Sequence, residues 1–210
     1  RTRKPKSVWF GSRYSTDLAQ RVVKDLLPGI DLDAPPKAVG LMKDIVEQSA
    51  ADQDICLDFF AGTCTTAQAI LELNREDGGN RRFIMVQLTE PLEEAQSLVD
   101  GIELETMADI GKERIRRVIA RMQEGDDGDQ LPLDLRPDED GPHDAGLGFK
   151  VFKLAASSFR QWEPPEGEDG EALKEQLALF DRGLAEDADP RHVIYEVILK
   201  LGYSLNAAIE

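Results

Sequence analysis

Apolar residues recur at helical spacing in some stretches and run without interruption in others, and the order of the two predicts the elements. From Thr16 to Leu27, Leu18, Ala19, Val22, Val23, Leu26 and Leu27 keep a 3.6-residue period that stops at Pro28-Gly29, so a helix is expected there. Pro35-Pro36 makes a rigid extended lead-in to a second helix, Val39 to Ser49, with Leu41, Met42, Ile45 and Val46 on one face. Ile55 to Phe60 reads as a strand, and a helix follows from about Thr65 to Asn74, closed by the turn Glu76-Asp77-Gly78-Gly79-Asn80. The continuous apolar run Phe83-Ile84-Met85-Val86 predicts a second buried strand over Arg82 to Leu88. Asp109 to Met122 forms an amphipathic helix, with Ile110, Ile115, Val118 and Ile119 inward and Lys112, Arg114, Arg116, Arg117 and Arg121 largely outward. Gly148 to Leu154 reads as another strand, and the tail as helices at Glu171 to Phe180 and His192 to Leu201. Strands alternating with helices predict an α/β chain built on a parallel sheet.

Composition adds bounds rather than detail. At 210 residues and 41% apolar content the chain can bury a core, as one large or two small domains. It shows neither a bilayer-length apolar run nor a signal-peptide pattern, so a cytoplasmic protein without a membrane partner is expected. Cys56 and Cys64 make no disulfide framework, and His143 and His192 lie in different segments, which supports no metal site. The net charge of −16 is uneven: Arg1 to Lys24 carries seven bases against one acid, Asp17, a local +6 that leaves −22 to the rest. Such an arm either lies near phosphates or is simply solvated. Acids, Gly and Pro dominate Glu124 to Asp144 and return at Glu163 to Gly170, which reads as flexible loop. The chain begins at Arg1 and is expected to be part of a longer polypeptide.

The chemistry concentrates in Leu57-Asp58-Phe59-Phe60-Ala61-Gly62-Thr63-Cys64-Thr65-Thr66-Ala67-Gln68-Ala69. An apolar strand ends in an acid, passes through small residues and opens into a helix, the layout of a nucleotide-type cofactor site at the carboxyl end of a parallel strand. Small residues let backbone approach a ligand closely. The window lacks the Gly-x-Gly-x-x-Gly spacing of a dinucleotide site and the Gly-Lys-Ser/Thr of a phosphate loop. That suits a ligand with a zwitterionic amino-acid end, a sulfonium and an unphosphorylated ribose, and S-adenosylmethionine has all three.

Pro36-Lys37-Ala38-Val39-Gly40-Leu41, then Leu57 to Ala69, Leu71 to Gln87, Ile110-Gly111-Lys112-Glu113-Arg114-Ile115 and Gly148 to Leu154 together resemble the modification subunit of type III restriction-modification systems, β-group DNA methyltransferases acting on adenine N6. The likeness covers roughly residues 31 to 162. It implies a Rossmann-like methyltransferase sheet with a mainly helical tail appended. Asp58, Phe59, Phe60, Ala61 and Gly62 match the cofactor motif, with Thr63 and Thr65 continuing it, and Pro36-Lys37 matches an upstream element in which lysine pairs the cofactor carboxylate. Phe60 is expected against the adenine ring, and either Gln87 or Glu90 on the ribose hydroxyls. The organisation implied is a basic linker ending the target-recognition region (1–30), the cofactor-binding part (31–123), an acidic flexible loop (124–146), a further strand of the sheet (147–162) and an acidic helical association segment (163–210). Implied partners of the full-length protein are DNA, a second copy in a homodimer and a helicase-nuclease restriction subunit.

Three departures matter. The family usually carries Ser-Gly-Thr-Thr where this chain has Thr63-Cys64-Thr65-Thr66, so a backbone needing positive φ at that glycine would be strained by Cys64. Ala38 stands where a second proline is usual. The catalytic Asp/Asn-Pro-Pro-Tyr/Phe motif that stacks and holds the flipped base is absent; Ala34-Pro35-Pro36-Lys37 has the prolines without acid or aromatic. The chain is therefore expected to be inactive alone. Two other readings stay open: a non-catalytic assembly module with a decayed cofactor site, and an unrelated α/β enzyme using another nucleoside cofactor. Asp58 as a plain turn cap, Cys64 as a small buried residue, the arginines from 114 to 121 as a solvated face, and Trp9, Tyr14 and Trp162 as core rather than base-stacking groups are the plain alternatives.

Overall fold

The computed structural model of the chain describes residues 8–32, 34–123, 147–160, 170, 174, 183–185 and 188–205. They fall into two compact units, one up to Gly148 and one from Phe149.

In the first unit, α1 (Thr16–Leu26) starts where Ser15 Oγ accepts from the Leu18 amide and buries Ala19, Val23 and Leu26. α2 (Val39–Ser49) packs on α3 (Thr65–Asp77), and α3 connects β1 (Ile55–Asp58) to β2 (Arg82–Met85). The two strands pair in parallel from Ile55↔Arg82 to Asp58↔Met85, so β1–α3–β2 is a βαβ unit. Its core is Val46, Ile70 and Leu73, with Ala50, Cys56 and Phe83 packed against it. The fold is mixed α/β, as the alternation predicts.

The strands are not buried on both faces as their apolar runs suggest. Cys56 and Phe83 point to the helices, whereas Leu57 and Ile84 are 59% and 51% exposed and Ile55, Val86 and Leu88 lie open beside them. α2 and α3 cover one face only, and strand side chains alternate with period two, so every second apolar residue is left uncovered.

An element that the pattern did not announce follows: β3 (Pro91–Ser97) and β4 (Glu103–Thr106) form an antiparallel pair with an irregularity between Pro91 and Gln96. β4 runs into α4 (Met107–Gln123), which packs on α1, α3 and β4. Thr106 and Asp109 form a reciprocal capping box at its start: Thr106 N and Oγ1 donate to Asp109 Oδ2 (3.0 and 2.7 Å), and the Asp109 amide donates to Thr106 Oγ1 (3.1 Å).

In the second unit α5 (Pro190–Lys200) is capped by Asp189, which accepts from the Arg191 amide at 2.7 Å. Glu196 takes the Ser157 hydroxyl, the Ser158 amide and the Lys200 ammonium, and Phe152 meets Tyr195 edge-on. Gly148 to Leu154, expected as a strand of the sheet, forms none; all but Gly148 of it belongs to this second unit, and Val151, Phe152 and Leu154 are exposed. The sequence expectations for 124–146, for Trp162 and for nearly all of 163–182 lie outside the described residues. Among those described, no helix is long and apolar enough to cross a membrane.

Candidate functional site

Asp58 ends β1, and its carboxylate organises the turn that follows. Oδ1 accepts from the Phe60 amide at 3.1 Å, an Asx turn, and Oδ2 accepts from Thr66 Oγ1 at 2.6 Å, so the first turn of α3 is tied to the end of the strand. The end of β2 holds the loop from its other side. The Val86 amide donates to Asp58 O (2.8 Å), the Ala61 amide to Val86 O (3.2 Å), and the Gly62 amide to Gln87 Oε1 (2.8 Å). Phe59 and Phe60 meet at 5.1 Å between ring centroids and project outward, Phe60 being 83% exposed. An open groove of about 550 Å³ runs from Asp58 and Thr66 between α2 and β1, lined by Met42, Ile45 and Leu57 among others.

Two left-handed residues bend the loop. Gly62 (φ 52°) needs no explanation beyond the missing Cβ, and a Cβ built there would meet open space. Cys64 (φ 56°) is the one non-glycine residue with positive φ among those described, so the strain anticipated from the Gly-to-Cys departure is present. The thiol is buried, which pushes its pKa up to about 11, with Arg114 opposing the shift. Room for it comes from α4: a Cβ on Gly111 would lie 2.6 Å from Cys64 Sγ and 3.2 Å from Gly62 O.

Beneath the loop sits Arg114, completely buried, and expected outside on the basic face of its helix. Its Nη1 donates to Thr63 O (3.2 Å), Thr63 Oγ1 (2.9 Å) and Thr65 Oγ1 (2.8 Å), and Nε donates to Gln68 Oε1 (2.7 Å). Spacing held the signal, since Arg114 follows Ile110 and precedes Val118 by one helical turn each and so shares their buried face. The neighbouring arginines are also structural: Arg117 donates to Leu26 O (3.1 Å) and Glu113, and Arg121 to Asp25 Oδ2 and O (both 2.7 Å), pinning α4 to the end of α1. Trp9 stacks on Tyr14, whose hydroxyl donates to Asp44 beside Arg13, so both aromatics belong to the junction with α2.

Of the residues singled out from sequence, Asp58, Phe59, Phe60, Ala61, Gly62, Thr63, Thr65 and Gln87 come together in this one loop. Lys37, at the foot of α2 after the buried Pro36, and Glu90 are exposed, and no hydrogen bond or ion pair among the described residues ties either to it.

Residues 2–108 match the model for DNA methylases. The chain belongs to the DNA methylase family. Within it, this methylase is 38% identical over 120 residues to the Mod subunit of the type III restriction-modification enzyme EcoPI of Escherichia phage P1, covering 57% of this chain and 18% of that subunit. It is 28% identical over 151 residues to the StyLTI Mod subunit of Salmonella typhimurium, covering 72% of this chain and 21% of the other. It is 33% identical over 89 residues to the type II methyltransferase M.KpnI of Klebsiella pneumoniae, with 42% and 21% covered. The resemblance to type III Mod subunits read from the motifs is therefore borne out, and the chain spans about a fifth of the length of these relatives.

Proposed function

We propose that this methylase chain is the cofactor-binding, C-terminal portion of a site-specific DNA methyltransferase that moves a methyl group from S-adenosylmethionine to adenine N6 in a restriction-modification system, and that the portion is inactive alone. The observation that carries this reading is the loop from Asp58 to Thr65, braced at the carboxyl end of a parallel strand beside an open groove. The residues suit the ligand. Backbone at Gly62 faces open space, Phe59 and Phe60 offer exposed aromatic faces for adenine, and the loop has no phosphate-binding lysine to demand a pyrophosphate. When bound, S-adenosylmethionine supplies an electrophilic methyl group on sulfur. Asp58 and the loop backbone hold the methionine end, Lys37 pairs its carboxylate, and Phe60 packs on the base. Gln87 Oε1 is already committed to Gly62, so Gln87 braces the loop and Glu90 is the freer candidate for the ribose hydroxyls.

Inactivity of the portion follows from two features. It carries no Asp-Pro-Pro-Tyr element to hold the target amino group, and the uncovered face of β1 and β2 leaves a parallel sheet half packed. In the full-length protein the two strands join a larger Rossmann-like sheet, DNA is the substrate, and a second copy and a restriction subunit are the partners. The same reading makes 31–123 the cofactor-binding part and 163–210 an association segment.

Calorimetric titration of the chain with S-adenosylmethionine tests this. Saturable binding is expected, and Asp58→Ala should weaken it at least about tenfold, near 1.4 kcal/mol, because the Phe60 amide and Thr66 hydroxyl lose their shared acceptor. A folded chain that binds nothing would sink the reading and favour an assembly module with a decayed site.

A further inference from the structure

Arg114 is the one charged residue with no exposed surface among the described residues, and core packing does not account for where it sits. A guanidinium with no exposed surface must be offset by hydrogen bonds, and here all four of them end within five residues of Cys64: at Thr63 O, Thr63 Oγ1, Thr65 Oγ1 and Gln68 Oε1. Nη2 is buried as well and has no acceptor among the described residues. An unsatisfied donor and a left-handed cysteine are both costs, and both lie at the same turn. Local strain of this kind persists only where the surroundings over-determine the backbone. A methionine or leucine would fill the same space without desolvating a charge, so burial alone does not select arginine here. The fork geometry does: one nitrogen spans the residues on either side of Cys64 while another holds α3. Gln68 passes the constraint on, since its Nε2 donates to Glu72 Oε1 (2.7 Å) and Lys43 of α2 pairs with Glu72 (2.5 Å) and Glu76 (2.6 Å).

We propose that Arg114 is the positioning residue of the cofactor loop, acting from below by fixing Thr63 and Thr65 on either side of the left-handed turn, without touching the ligand. The inference rests on reading Asp58 to Thr65 as the cofactor loop, and its test separates the two claims. The full chain, its Arg114→Lys variant and its Thr65→Val variant are compared by thermal melting, by hydrogen–deuterium exchange over residues 59–68, and by titration with S-adenosylmethionine. Lysine ends one atom short of Nη1 and has no second nitrogen for Gln68, so it cannot hold both threonines and α3 together, and valine keeps the volume of threonine without the hydroxyl. Both variants should melt within a few degrees of wild type, exchange the loop amides at least tenfold faster with the rest of the chain unchanged, and bind cofactor at least fivefold more weakly. Loop exchange and affinity equal to wild type in a folded Arg114→Lys chain overturn the proposal. If that variant does not fold, Thr65→Val alone decides by the same criteria. Faster loop exchange in a chain whose wild type binds no cofactor supports the positioning role and overturns the reading of the loop's ligand instead.

Discussion

Replacing Gly111 by alanine should destabilise this protein, although alanine is the better helix former. In an exposed helix interior the exchange is worth about 1 kcal/mol in favour of alanine. At this position the added Cβ would lie 2.6 Å from Cys64 Sγ, a separation that demands movement, and 3.2 Å from the carbonyl of Gly62. The thiol has nowhere easy to go because Cys64 is buried and its backbone is already left-handed. Overpacking of this kind costs about 1–3 kcal/mol, and a contact of 2.6 Å against a confined thiol belongs to the upper half of that range, so after the helix-propensity gain the net loss is expected at about 1–2 kcal/mol. Cys64→Gly alone should be near neutral. It relieves about 1–2 kcal/mol of left-handed strain, but gives up the contacts of a small buried side chain and frees the unfolded backbone by a comparable amount. In that glycine background Gly111→Ala meets only the Gly62 carbonyl and should be neutral or stabilising. The four chains thus form a double-mutant cycle with a coupling of about 1–3 kcal/mol. Urea unfolding, with hydrogen exchange of α3 and α4 amides to localise the effect, measures it. An alanine variant as stable as wild type, or effects that add within about 0.5 kcal/mol, would refute the interlock of thiol and glycine.

Cysteine labelling gives an independent check on the same turn. With its pKa near 11, Cys64 is about one-thousandth thiolate at pH 8, so iodoacetamide should modify the half-buried Cys56 first and reach Cys64 only on unfolding; equal rates in the native chain would contradict the geometry. At the start of α4, burial opposes ionisation of Asp109, but hydrogen bonds from Lys112 and Thr106 outweigh it and hold its pKa near 2, below its ordinary 3.8. A lowered folded-state pKa gives stability that is complete above about pH 4 to 5 and is lost as pH falls from about 4 toward 2. Asp109→Asn should therefore flatten the acid limb of α4 unfolding in that window, and an unchanged limb would show that the capping box carries no pH-dependent stability.

What could be read from sequence was what local pattern controls. α2 is found at the bounds its periodicity predicts, α1 and α4 differ by a residue or two, and α3 runs on past Asn74 because Gly78 supplies the left-handed cap only there. The turn at Asp58 was legible for the same reason, since its partners, the Phe60 amide and the Thr66 hydroxyl, lie within eight residues, whereas Gly62, Thr63 and Thr65 are held by Gln87 and Arg114 from 25 to 51 residues away. Burial was not. A continuous apolar run such as Phe83 to Val86 cannot say how many layers will cover it, and here one layer does. The β3–β4 pair was missed because Glu93, Glu94, Glu103 and Glu105 mask the alternation. Gly148 to Leu154 has the composition of a strand but no partner to pair with among the described residues, and composition alone does not make a ladder. Arg114 shows the opposite error: residue type suggested solvent, while helical spacing placed it on the buried face, and spacing was right.

The distribution of constraints has a consequence for how binding and catalysis divide. Among the described residues, the ties that shape the loop lie within this one unit: Thr66 and the Phe60 amide on Asp58, Gln87 on Gly62, Arg114 on Thr63 and Thr65. None of these ties depends on the uncovered side of β1 and β2. The groove beside β1 is different, because α2 forms one wall and the strand side carries apolar residues such as Ile55 and Leu57 that are largely exposed. On the proposed reading, a ligand held at its methionine end by the loop and stacked on Phe60 meets groups of this unit alone. Apolar area left open also costs stability, about 25 cal/mol for each Å² that a covering layer would remove from water. A layer docking on Leu57 and Ile84 would thus stabilise the sheet, which links covering of that face to the stability of the strands that carry the loop.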